Sequence, residues 1–143
     1  MKKTMLIAAA LAAGLPGQSQ ANPYEDEVVA QLLVIQGVAL TEGYEQFGDV
    51  AINSMSNSTT DTFVLSLDKG MDYIIVGACD SDCGDIDFRL YDDDGDLIED
   101  DVSDDDVPVV EFSSRRSGEY YLEIEMFDCT NDPCTYGIMT LER

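Results

Sequence analysis

Phe63, Leu65 and Leu67 alternate with Thr62, Val64 and Ser66, and this two-residue period returns along most of the chain that follows. A strand points successive side chains to opposite faces, so the pattern calls for strands with one face in a core and one in water. Met71 to Ala78 is almost continuously apolar, which predicts a central strand. Ile86, Phe88 and Leu90 alternate with Asp87, Arg89 and Tyr91, and Asp93-Asp94-Gly95 makes a tight turn into Leu97-Ile98. Val107 to Phe112 reads as an edge strand because Pro108 cannot donate to a ladder. Tyr120, Leu122, Ile124 and Met126 form an inward set opposite Glu119, Tyr121, Glu123 and Glu125, and Tyr136, Ile138 and Thr140 close the series. Seven or eight short strands with regular turns predict an all-β fold, an antiparallel, jelly-roll-like β-sandwich.

The start of the chain follows other rules. Lys2 and Lys3, the apolar run Met5 to Leu15 and the small-residue exit Ser19-Gln20-Ala21 fit a secretory signal peptide over 1–21, cleaved near Ala21. That run is shorter than the ~20 apolar residues of a membrane span. Residues 24–40 carry apolar positions Val28, Val29, Leu32 and Leu33 at helical spacing, with Gly37 as a stop, and the stripe requires a cover. Gly43 and Gly48 are expected to bracket a loop. The division is therefore a signal peptide at 1–21, an N-terminal helix and linker at 22–48, and a sandwich at 49–143.

Losing the first 21 residues leaves five basic against thirty acidic residues, a net charge of −25. That charge disfavours nucleic acid and anionic membrane as partners, and no later segment is expected to insert into a membrane. It favours cations, basic protein surfaces or solubility in salt. Four cysteines in an exported chain predict two disulfides. Of three pairings, the local ones, Cys79 with Cys83 and Cys129 with Cys134, are preferred, since each pair flanks turn-forming residues at the end of an apolar run. The expected location is the periplasm or the medium.

Met71-Asp-Tyr-Ile-Ile-Val-Gly-Ala-Cys-Asp-Ser-Asp-Cys-Gly-Asp-Ile-Asp-Phe-Arg-Leu-Tyr-Asp-Asp-Asp-Gly95 resembles the core of bacterial pre-peptidase C-terminal (PPC) domains. Val107-Pro-Val-Val, Gly118-Glu-Tyr-Tyr-Leu-Glu-Ile and Cys134-Thr-Tyr-Gly-Ile resemble the strands that follow, so the likeness covers about residues 50–143. It implies a small β-sandwich of the kind attached to secreted proteases, some of which bind calcium and some of which are accessory substrate-binding modules. Only one helix precedes the module here, so a stand-alone member is expected.

Ten of the fifteen residues from Asp92 to Asp106 are acidic and none is basic. Calcium takes six to eight oxygen ligands, so clustered carboxylates are suitable material. The EF-hand spacing fails, because setting Gly95 at the glycine position leaves Leu90 in the first ligand position. A loop-built calcium site from Asp82, Asp85, Asp87, Asp94 and Asp96 is the candidate, against the plain alternative of solvated turn carboxylates. Catalysis is not expected: histidine is absent, the cysteines are paired, and thirty acids make carboxylate pairs unavoidable. Arg115 and Arg116 are expected to pair with nearby carboxylates. Tyr121, with Tyr91 and bordered by Tyr73 and Tyr136, is a candidate binding face for protein or glycan. The functional expectation is an exported, non-catalytic accessory or ligand-binding module, stabilised by calcium if the candidate site is filled; the alternative is a periplasmic stress factor that shields or inhibits a partner.

Overall fold

The computed structural model describes residues 22–143, so the expected signal peptide and its cleavage site lie outside the described residues. Helix α1 spans Pro23–Thr41, and eight strands follow: β1 Glu45–Met55, β2 Thr59–Leu67, β3 Asp72–Cys79, β4 Cys83–Tyr91, β5 Leu97–Asp101, β6 Val109–Ser113, β7 Gly118–Cys129 and β8 Cys134–Glu142. They form two four-stranded sheets, β1-β8-β3-β6 and β2-β7-β4-β5. The antiparallel pairs β1/β8, β2/β7, β3/β6 and β4/β5 are those of one long hairpin rolled onto itself, the jelly roll.

Alternation decides the core between the sheets. Leu65, Leu67, Ile86, Phe88, Leu90, Leu122 and Ile124 from one sheet meet Tyr73, Ile75, Val110 and Ile138 from the other. Each such side chain, fully buried, contributes about 1.5–3 kcal/mol. The central strands β3 and β8 are apolar on both faces because helix α1 covers their outer side. Val28, Leu32 and Ala39 pack there on Val76, Ala78, Met139 and Leu141. The helix approaches closely over Gly137, where a Cβ would stand within 2.7–2.9 Å of Val28, Ile52 and Leu32 side chains. Asn22 caps the helix by accepting from the Tyr24 N–H, and Gln31 Nε2 donates to the Cys79 carbonyl at 2.9 Å.

Three expectations change. Gly37 does not stop the helix, which runs on to Thr41 before Gly43 adopts a positive φ of 86°. Only half of the expected stripe is covered: Val28 and Leu32 are buried, whereas Val29 and Leu33 are 38% and 56% exposed. The segment from Gly43 to Gly48 is not simply a loop, since β1 starts at Glu45 and pairs with β8 across an irregularity between Phe47 and Ala51.

Both disulfides form as the local pairs, Cys79–Cys83 and Cys129–Cys134. Each spans a turn between a strand of one sheet and a strand of the other, and both lie at the same end of the sandwich. There Thr130 N donates to the Asp82 carbonyl, and Asn57 Oδ1 accepts from Cys129 N. Among the described residues no helix is long and apolar enough to cross a membrane.

Candidate functional site

The acidic residues fall at two places. At the end opposite the disulfides, Asp92, Asp93 and Asp94 bring carboxylate oxygens within 4.8 Å of one another. The turn is local: Asp92 Oδ1 accepts from the N–H groups of Asp94 and Asp96 at 3.0 and 2.9 Å, and Gly95 takes φ 84°. Arg116 fills the space between the carboxylates, 2.7 Å from Asp92, 3.4 Å from Asp93 and 3.0 Å from Asp94. Its loop is fixed by Tyr120, whose hydroxyl donates to the Arg116 carbonyl at 2.9 Å, and Tyr120 itself packs on Phe112. The N–H of Asp96, then that of Asp94 and the guanidinium, hold the Asp92 carboxyl below the usual range. Asp94 and Asp96 are thus turn and ion-pair residues, a correction to their expected place beside Asp85. Arg116 pairs as expected; Arg115 makes no ion pair among the described residues.

Asp82 is also drawn elsewhere. Its Oδ1 accepts from Asn131 Nδ2 at 2.8 Å, tying one disulfide loop to the other. Asp85 and Asp87 do share one face of β4, as alternation requires, and both are buried on the outer side of their sheet. One oxygen of each, Oδ1, is buried without a hydrogen-bond partner. Burial pushes the Asp85 carboxyl up, and the charges of Asp87, Asp104, Asp105 and Asp128 push it the same way. Burial likewise raises Asp87, partly offset by Arg89 at 3.6 Å. Asp104, Asp105 and Asp128 went unsingled by sequence reasoning; the antiparallel pairing that sets Asp128 opposite Asp85 is the signal that finds the last of them.

The tyrosines separate into two groups. Tyr73 and Tyr136 are buried in the core, so they do not border a binding face. Burial and nearby Asp61 push the Tyr136 hydroxyl up to about 12. Tyr91 and Tyr121 are direct cross-strand partners on the outer face of the second sheet. Val64 of β2 pairs with Tyr121, and Leu97 of β5 pairs with Tyr91, so four strands contribute one apolar row, Val64, Tyr121, Tyr91, Leu97. Val64 and Leu97 are about half exposed, at 48% and 51%. Acids line the row: Tyr121 donates to Glu119 Oε2 at 2.8 Å, and Glu123 occupies the next outward position of β7. Around the edge of the same sheet a cleft of about 560 Å³ opens between β5 and β6, lined by Ile98, Glu99, Glu111 and Phe112 among others.

No family model matches the chain, and no curated protein matches it. Among solved structures it is similar to PliG of Aeromonas hydrophila, described as a periplasmic lysozyme inhibitor of g-type lysozyme. The TM-score is 0.53 at 11% identity, over 71% of this chain and 90% of that one. At that identity the likeness is one of fold, and the two chains share a mostly antiparallel β-sandwich.

Proposed function

We propose that this chain is an exported, non-catalytic binding protein that shields or inhibits a cationic protein partner, an enzyme of the lysozyme class. The observation that carries the reading is the sandwich it shares with a periplasmic lysozyme inhibitor over nine-tenths of that chain. Charge and surface support it. A partner with a basic face gains from a net charge of −25 in the mature chain, chiefly through faster encounter. The row Val64, Tyr121, Tyr91, Leu97 then offers apolar and aromatic anchors inside an acidic rim, the composition of a protein-binding hot spot. The two disulfides suit an oxidising compartment.

The experiment is a cell-wall lysis assay with g-type and other lysozymes, with binding followed by calorimetry. Stoichiometric inhibition by residues 22–143 is expected, and Tyr91→Ala with Tyr121→Ala should weaken binding about tenfold or more. Association should slow as salt rises. Absence of binding to every lysozyme at low salt overturns the inhibitory reading. Retention on glycan instead would return the chain to the accessory-module class.

A further inference from the structure

We propose that the outer face of helix α1, with the groove beside it, is where a second copy of this chain docks, helix against helix in antiparallel order. The inference stands apart from the partner reading, because α1 lies on the first sheet and the tyrosine row on the outer face of the second.

The helix is apolar all round. Val28, Leu32 and Ala39 are spent on the sandwich beneath it. Of the twelve large apolar side chains left exposed among the described residues, six stand on this one element: Tyr24, Val29, Leu33, Val34, Val38 and Leu40. Leu33, Val34, Val38 and Leu40 are each more than half exposed. A helix with no polar side is ordinarily covered on every side, and a contiguous apolar patch left in water marks an interaction site. Along its flank a groove of about 280 Å³ opens between Val34 and Val38 of the helix and Ile74 and Val109 of β3 and β6. Glu42 is the only charged residue that lines it. Gly37 is exposed on the same helix with nothing within 4 Å of the place a Cβ would take, so a second helix can come close.

Charge decides the occupant. The fourteen residues from Val28 to Thr41 carry no charge, in a mature chain whose net charge is −25. A basic partner gains nothing from a face without carboxylates. An anionic membrane is repelled by the rest of the molecule, and the helix has no Lys or Arg to meet headgroups. Two copies of so acidic a chain meet at least cost where neither presents its acids. An identical apolar patch on each is what a two-fold contact requires.

The ends of the helix set the order. Glu25, Asp26 and Glu27 crowd its N-terminal end. At the C-terminal end Arg143 donates to the Glu42 carbonyl at 3.2 Å and stands 3.4 Å from Asp72, so that end is the less acidic. Antiparallel packing lays the three acids of one copy toward the partner's Arg143, twice by symmetry, and opposes the two helix dipoles. Parallel packing would set three acids against three. Nineteen residues at 1.5 Å each make a helix about 28 Å long. Two helix widths across, that strip covers on the order of 500–600 Å² per copy, below the ~800 Å² of a standard interface. A reversible dimer of micromolar affinity fits the size.

The test is sedimentation velocity of residues 22–143 over a range of concentrations in low and high sodium chloride, and it needs no lysozyme. A reversible dimer is expected, and it should tighten as salt rises because two chains of like charge then repel less. A basic partner would show the opposite salt dependence. Val34→Gln with Val38→Gln adds no charge and suits a helix, so helix content by circular dichroism should hold while the dimer weakens about tenfold or more. Arg143→Glu should weaken it too, and Asp26→Arg added to that variant should restore part of the loss; no restoration overturns the antiparallel order. A monomer at every concentration and salt overturns the proposal, as does a dimer indifferent to the two glutamines. Monomers that bind phosphatidylcholine vesicles, and lose that binding in the glutamine variant, would assign the face to lipid instead.

Discussion

At the end of the sandwich built from loops 68–71, 92–96 and 114–117, three consecutive aspartates share one guanidinium, and their turn amides point at Asp92. At the disulfide end, Asp85 and Asp87 are both buried, yet each keeps an unpartnered oxygen. The first group is acidic in sequence and compensated in space. The second is interrupted by Ile86 in sequence and compensated in space only at Asp87, where Arg89 lies 3.6 Å away. Acid density along a chain therefore says little about where negative charge goes unanswered. That depends on which distant residue the fold brings over it, and Arg116 stands 24 residues from Asp92.

The contrast can be broken by neutralising the buried pair Asp85 and Asp87. Asp85→Asn with Asp87→Asn, in buffer stripped of divalent cations, is expected to raise stability by about 1–2 kcal/mol, since buried repulsion is removed and amides can donate. Urea denaturation measures it, and a destabilised double variant would mean that both carboxylates already have partners.

Acid titration sharpens the contrast with a smaller effect. Asp85 and Asp87 have folded pKa values above the ordinary 3.8, so the native state takes up their protons first. Without divalent cations, stability should rise as pH falls through those folded values toward 3.8. Asp92 has a folded pKa below 3.8, so its contribution is present above 3.8 and is lost as pH drops further through its folded value. A melting temperature that climbs and then falls between pH 7 and 2 is the expected profile. A monotonic fall would show that the buried pair does not govern the upper limb.

Smallest of the three is the loss of Arg116. The guanidinium is half exposed, so Arg116→Ala should lower Tm slightly, and added salt should restore much of the loss. A large, salt-insensitive drop would instead assign Arg116 a packing role at the 114–117 loop.

The fold was largely legible in the sequence because alternation is a local signal with a global meaning. Ile86, Phe88 and Leu90 face the core, and Tyr120, Leu122, Ile124 and Met126 face them from the neighbouring strand. Strand β1 escaped because Gly48 to Val50 interrupt its pairing register, and its inward residues Phe47, Ala51 and Met55 recur every fourth position rather than keeping a two-residue period. The helix was found but rotated. Nearly every residue from Val28 to Leu40 is apolar, so periodicity could not separate the covered Leu32 from the exposed Leu33. Within the acidic set, Asp85 and Asp87 could be joined by strand geometry alone. Asp82 and Asp94 could not be removed from it without knowing that Asn131 and Arg116 come to meet them.

The position of β8 has a consequence for when the molecule can form. Glu45 pairs with Glu142, and the same final strand lies between β1 and β3 while carrying the floor on which the helix rests. A growing chain that lacks β8 has neither the centre of the first sheet nor a seat for its helix. Closure must therefore wait until Cys134–Glu142 has been made, and its long-range pairings form slowly.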